Sequence, residues 1–456
     1  MLPFAITGDQ RLRLQREDLN ARGRDLTAVP LRDAARAYGR IAASSFGGPA
    51  AQIAVIHRVV VEEKRWLDEP AFVRALSFCM LLPGPEAQQL VTYVGWRLHG
   101  LRGGLAAGLL FVAPGFATML LLSILYATAA DVSFVAALFV GLKPAVLPVV
   151  LEAVVRLKRR AAGGLLGTMI AAMAFVAIFA FHVPFPLIVL GGALAGFLAE
   201  RRATPLTPSD VPAEVTGEWQ RTLRVAGAWL LIWLVPVAFI VLVLGRDHVL
   251  ATQAAFFSKV AVVTFGGAYA VLAYVAQQAV DVFGWLTPGE MLDGLGLAET
   301  TPGPLIMVVQ FVAFLGAFRQ AGSLDPILAG ILGSLVTVWV TFAPSFLFIL
   351  VGAPWIERIT RIHRLAAALA GVTAAVVGVV LNLGVWFAVH TLFANVSDRS
   401  FGRMSLPVPD PSSFQPAVAL IAIAAAIALF RFRISLLWVL AGGAALGVVA
   451  RALGVV

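Results

Sequence analysis

A chain of 456 residues that is 60% hydrophobic and only 13% charged carries about half the charge of an average soluble domain, and its apolar runs approach the length of a bilayer crossing. Its net charge of +9 sits in short basic clusters between those runs, the pattern of cytoplasmic loops and not of a nucleic-acid surface. Cys79 is the sole cysteine, which excludes an internal disulfide and any multi-cysteine metal site.

The chain opens on a polar stretch rich in arginine, including Arg11, Arg13, Arg16, Arg22, Arg24, Arg32 and Arg36. It has no apolar core of the kind a cleaved signal peptide needs, so residues 1–38 read as a basic leader held in the cytoplasm. Apolar segments then predict helices near 41–61, 70–96, 104–126, 133–155, 162–181 and 185–200, within a first unit over 39–200. Residues 201–224, with Pro205, Pro208 and Pro212, read as a cytoplasmic linker. A second unit, 225–456, begins with a helix near 225–244. Further helices are expected near 250–280, 288–316, 328–352, 365–390, 415–431 and 434–453. Several are short enough to re-enter the membrane instead of crossing it.

The two units repeat one another. Phe46-Gly47-Gly48 returns as Phe265-Gly266-Gly267, Trp66-Leu67 as Trp285-Leu286, and Pro83-Gly84-Pro85 as Pro302-Gly303-Pro304, all at one shift (265 − 46 = 285 − 66 = 302 − 83 = 219). Ala113-Pro114 matches Ala343-Pro344 at 343 − 113 = 230, so about eleven residues are inserted in between. Basic loops alternate between the copies. Tyr126 to Ser133 lacks Lys and Arg, whereas its counterpart holds Arg358, Arg361 and Arg364; Arg156, Lys158, Arg159 and Arg160 face the uncharged stretch Trp386 to His390. By the positive-inside rule the copies are inverted. The fold class expected is an all-α polytopic membrane protein made of two homologous inverted-topology repeats with broken or re-entrant helices.

The chemistry belongs at the breaks. Pro83, Gly84 and Pro85, like Pro302, Gly303 and Pro304, interrupt apolar segments, and two prolines around a glycine cannot continue a helix. In hydrocarbon such backbone survives only where protein covers it or it lines a cavity. The half-helix starts that follow, at Glu86 and Gln88 and after Pro304, offer free N–H groups and a positive dipole end to an anion; a packing kink is the plainer reading. Gly47 and Gly48, before Pro49, make a second break. Gly266 and Gly267 lack the proline and fit a close helix contact equally well. Ser45 and Thr264, and Thr301 before the second Pro-Gly-Pro, add hydroxyls. Lys143 lies in mid-span beside Pro144 and is either a substrate or coupling residue or a partner for Glu152 or Glu86. Arg40 and Lys259, a matched pair (259 − 40 = 219), are either entrance charges or interfacial anchors. Glu86 and Glu299 flank the breaks as proton-carrier candidates. No catalytic or metal-ligating constellation is visible, which argues against an enzyme and calls for no cofactor.

Phe46-Gly47-Gly48-Pro49, Trp66-Leu67, Leu82-Pro83-Gly84-Pro85, Gly103-Gly104 and Ala113-Pro114 together resemble the chromate ion transporter family. Thr264-Phe265-Gly266-Gly267 and Thr301-Pro302-Gly303-Pro304 resemble the second domain of its long members. The resemblance implies chromate export across the bacterial inner membrane, resistance to chromate, and drive by the proton-motive force, with protons as partners and sulfate as natural competitor or alternative cargo. A passive anion channel is a further alternative. One inverted pair of repeats makes a monomer sufficient; a homodimer stays open.

Overall fold

The computed structural model describes residues 29–129, 132–161, 164–200, 216–265, 267–356, 362–402 and 404–454. The arginines before residue 28, Pro205, Pro208, Pro212, Gly266, Arg358 and Arg361 lie outside the described residues. In the first copy the chain forms α1 (Leu31–Ala43), α2 (Gly48–His57, continued by a π turn Arg58–Glu63), α3 (Glu69–Leu81), α4 (Glu86–Ala129), α5 (Ser133–Arg160), α6 (Leu165–Phe181) and α7 (Phe185–Ala199). α8 (Thr216–Leu244) leads to the second copy. There α9 (Val249–Val263), α10 (Ala268–Gln277, continued by a π turn Gln278–Val282), α11 (Pro288–Thr300), α12 (Val308–Arg319) and α13 (Pro326–Gly352) repeat the order of the first. They are followed by α14 (His363–Leu392), α15 (Pro416–Ala426) and α16 (Leu436–Ala452).

Five described helices, α4, α5, α8, α13 and α14, are long and apolar enough to cross a bilayer. This is an all-α, multi-pass membrane protein. α1, α3 and α11 have 13 residues each, about 20 Å of helix, too short alone for a hydrocarbon core of about 30 Å. The segments expected as single helices therefore resolve into halves. The one near 41–61 breaks at 44–47 between α1 and α2, and the one near 250–280 breaks at 264–267 between α9 and α10. Those near 70–96 and 288–316 break at the Pro-Gly-Pro motifs. α1 also runs across residue 38, so the end of the basic leader is helical; Ala34, Ala37, Tyr38 and Ile41 bury its inner face. α4 bends at His99 and Gly100, whose dihedrals leave the helical region. Its two parts thereby match α12 and α13. Between α14 and α15 an antiparallel hairpin, β1 (Val396–Phe401) with β2 (Met404–Pro409), departs from the all-helical expectation. It accounts for the later shift between copies, since 416 − 165 = 251 where α15 repeats α6.

The copies hold each other reciprocally. The Gly84 amide donates to Thr264 O at 2.8 Å, and the Gly303 amide donates to Ser45 O at 2.9 Å; 84 + 219 = 303 and 45 + 219 = 264. Each Pro-Gly-Pro break thus caps the Phe-Gly-Gly break of the other copy. The outer helices follow the same rule. Gly141 of α5 packs on Gly443 and Gly447 of α16, and Gly371 of α14 packs on Gly192 and Gly196 of α7. A Cβ on Gly443 would lie 2.9 Å from Gly141 O, and one on Gly192 would lie 2.8 Å from Gly371 O. Small residues four apart let such helices meet at backbone distance, where packing in lipid is strongest.

Candidate functional site

The two Phe-Gly-Gly breaks open onto one small pocket. Pro49 and Ala50 line it from the start of α2, Gly267, Ala268 and Tyr269 from the start of α10, and Glu86 from the first turn of α4. Arg156 of α5 completes the wall. Gly47, Gly48 and Gly267 have φ of +78°, +80° and +92°, a region other residues enter at a cost of about 1–2 kcal/mol; this turns the chain so that both helix starts face the pocket. The first-turn N–H groups of any helix lack intrahelical acceptors. Three such starts from both copies meet here with one guanidinium, Arg156, and one carboxylate, Glu86, and helix starts are the ends that favour anions.

Carboxylates stand beside the pocket. A Cβ on Gly48 would be 3.8 Å from Glu299 Oε2, and one on Gly267 would be 3.9 Å from Glu86 Oε1. Glu299 is 1% exposed and its Oε1 accepts the Tyr269 hydroxyl. Arg156 donates to Glu152 at 2.6 Å, one helical turn back. The sequence reading places Arg156 among loop charges; the structure places it on the pocket wall, because α5 stays helical to Arg160.

Lys143 is 3.3 Å from Asp293 Oδ2 on α11, and not paired with Glu152 or Glu86. Tyr126 donates to the same oxygen at 2.7 Å. Asp293, 1% exposed, is a buried charge that the sequence reading passes over; its place nine residues before Pro302 (302 − 293), in an apolar segment, is the available signal. The hydroxyls expected to reach substrate are occupied locally. Ser45 donates to Ile41 O at 2.6 Å, Thr264 to Val260 O at 2.5 Å and Thr301 to Ala298 O at 3.0 Å. Gln88 donates to Thr92 Oγ1 at 3.0 Å. Gly84 (φ +120°) and Gly303 (φ +100°) sit at the heart of the Pro-Gly-Pro turns. There Gln89 donates to Pro83 O, and Gln52 to Gly303 O, both at 2.7 Å. Pro85 and Pro304 precede new helical turns whose amides return to them, Gln89 N to Pro85 O at 3.0 Å and Met307 N to Pro304 O at 2.9 Å. Pro302 packs its carbonyl toward Gly115 of α4. Arg40 is paired with Glu63 at 2.5 Å, and Lys259 lies over the Tyr274 ring at 5.8 Å.

Duplicated, broken helices in a multi-pass membrane protein are the architecture of transporters as a class. The chain belongs to the chromate transporter family, whose family model matches residues 33–197 and 251–448. It is 32% identical over 346 residues to the chromate transport protein of Pseudomonas aeruginosa, covering 74% of this chain and 76% of that one. It is 26% identical over 370 residues to the chromate transport protein of Cupriavidus metallidurans, covering 80% and 85%. No solved structure matches the chain.

Proposed function

We propose that this chain carries chromate across the bacterial inner membrane, with its N-terminus cytoplasmic, its two copies inverted, and the pocket between the Phe-Gly-Gly breaks as the oxyanion site. The observation that carries this reading is Arg156 facing the starts of α2 and α10 in one pocket. A tetrahedral dianion accepts hydrogen bonds at every corner, so helix-start amides from opposite sides and a guanidinium suit it without a full complement of cations. Glu299, already hydrogen-bonded by Tyr269, and Glu86 occupy the same polarised region, so a dianion and two charged carboxylates compete there. Protonation of a carboxylate as the dianion enters or leaves links transport to the proton-motive force. The names of the two relatives support chromate as cargo. Export, and resistance to chromate, follow if the inward-directed proton force is spent on outward anion movement. Everted membrane vesicles test this directly: energised vesicles accumulate radiolabelled chromate, sulfate competes, and Arg156→Gln abolishes accumulation. Vesicles that accumulate none, or Arg156→Gln vesicles that match the parent, refute it.

A further inference from the structure

Five buried polar side chains on α9 and α13, two helices that pack together, lack a full set of partners. Ser334, Thr337, Thr341 and Ser345 on α13 are 0%, 0%, 3% and 1% exposed, and none of their hydroxyls has a hydrogen-bond partner. Elsewhere in the chain, Ser45, Ser123 and Thr264 turn back onto a carbonyl of their own helix. The four positions fall within about 80° of one helix face and span about 16 Å along the axis. At one end Gln253 of α9 donates to Ala313 O at 2.9 Å. That bond fixes the amide's orientation and leaves its Oε1 unpaired, 2.8 Å from where a Cβ of Gly333 would lie. At the other end Ser345 Oγ is 2.6 Å from the Cβ position of Gly84, whose amide holds Thr264 at the break. The file therefore runs from one turn inside the start of α9 to the paired breaks.

The first copy provides an internal control. The counterparts of Gln253, Ser334, Thr337, Thr341 and Ser345 are Ala34 (253 − 219), Gly104, Ala107, Phe111 and Gly115 (each minus 230). All five are buried and carry no polar side-chain atom. The repeat thus packs without hydroxyls here, and the second copy holds a row of buried donors and acceptors with no protein partner, which a small hydrogen-bonding guest would satisfy.

We propose that Gln253, Ser334, Thr337, Thr341 and Ser345 line a hydrated half-path that brings protons from one membrane face to the breaks. The lining is uncharged and mixes donors with acceptors, which suits a file of water; a dianion there would lack any countercharge. A proton moves along such a file by hopping: at each step one O–H bond forms on the next oxygen and one breaks on the last, and nothing is consumed. With the linker cytoplasmic and α8 crossing once, the file opens on the outer face. The proton's role in driving chromate rests on the function proposed above; the hydration and proton conduction of the file do not.

The first test is thiol labelling in a Cys79→Ser background. Thr337→Cys and Thr341→Cys react with a charged, membrane-impermeant methanethiosulfonate, whereas Ala107→Cys and the lipid-facing Leu335→Cys do not. If the two threonine positions are as inert as Ala107→Cys, the file is dry and the proposal falls. The second test uses Thr337→Val, Thr341→Val and Ser345→Ala together, in proteoliposomes loaded with a pH-sensitive dye. Proton flux and pH-driven chromate flux drop about tenfold, the scale of a lost hydrogen-bonded link, while chromate–chromate exchange persists. Thr337→Ser with Thr341→Ser, which keeps every hydroxyl of the file, leaves both fluxes at the parent level. Unchanged proton flux in the triple variant overturns the proposal even if the file is wet. Absence of chromate exchange in the parent instead refutes the transport reading, and dye-reported proton flux still decides the half-path.

Discussion

Removing Lys143 is expected to damage the fold more than anion recognition. At 3.3 Å from Asp293, the pair attracts with about 5 kcal/mol at an effective dielectric of 20. Lys143 is 33% exposed on its side chain, and water screening reduces the useful part to about 2–3 kcal/mol. Lys143→Ala leaves the Asp293 carboxylate buried with only the Tyr126 hydroxyl, and breaking one side of a buried pair is the costly case. Asp293→Asn keeps that hydroxyl contact and leaves a lysine whose side chain is only partly buried, so it costs less, about 1 kcal/mol. The double variant recovers most of the loss, because neither charge remains to be compensated. Thermal unfolding of the detergent-purified protein reads this as a double-mutant cycle. Lys143→Ala lowers the melting temperature by about 5 °C, at about 2 °C per kcal/mol for a large chain, and the double variant melts between it and the parent. A Lys143→Ala protein that melts like the parent, or additive single effects, would refute the buried pair as the reason for this lysine.

Arg156→Lys should keep transport with a KM for chromate raised about tenfold, since an ammonium replaces the charge but not the fork of donors; vesicle uptake at varied chromate gives the value. Gly267→Ala meets nothing nearer than Glu86 Oε1 at 3.9 Å, so it costs only the backbone strain of about 1–2 kcal/mol; the variant should purify folded yet transport slowly. Gly303→Ala adds to that strain a collision with the backbone of α4, 3.2 Å from Gly115 Cα, and its yield of folded protein in size-exclusion chromatography should fall below that of Gly267→Ala. Outside the membrane, Asp410 accepts from Ser412 N at 2.9 Å and Ser412 Oγ at 2.7 Å, which holds its carboxyl below the ordinary range. Its contribution to the hairpin base is therefore present at neutral pH and lost as pH falls through that lowered range, an acid sensitivity of local amide exchange that Asp410→Asn should remove.

The repeat and the Pro-Gly-Pro breaks were legible because rare residue types recur at a constant shift, and because proline and glycine act locally. The second Phe-Gly-Gly lacks proline, so its sequence leaves break and close contact equally open; the fold adds what the sequence lacks, the Thr264 carbonyl held by Gly84 of the other copy, a partner 180 residues away (264 − 84). Distance in sequence also hid the site's charges. Arg156 looks like a loop residue beside Lys158 and Arg159, and only the fold turns it toward Gly267. Lys143 stood out as an intramembrane charge, whereas Asp293, in a segment dotted with glycine and glutamate, did not. Ser45, Thr264 and Thr301 carried the right atoms, but a helix offers such hydroxyls its own carbonyls first.

The exchanged amides at Gly84 and Gly303 have a consequence for how the gene can be divided. Either half alone would display a bare glycine N–H and a bare carbonyl, at Gly84 and Ser45 in one and at Gly303 and Thr264 in the other, with nothing in hydrocarbon to meet them. Severing the chain between α7 and α8 should thus yield two pieces that are unstable apart and reassemble when made together, each supplying the stitch the other lacks.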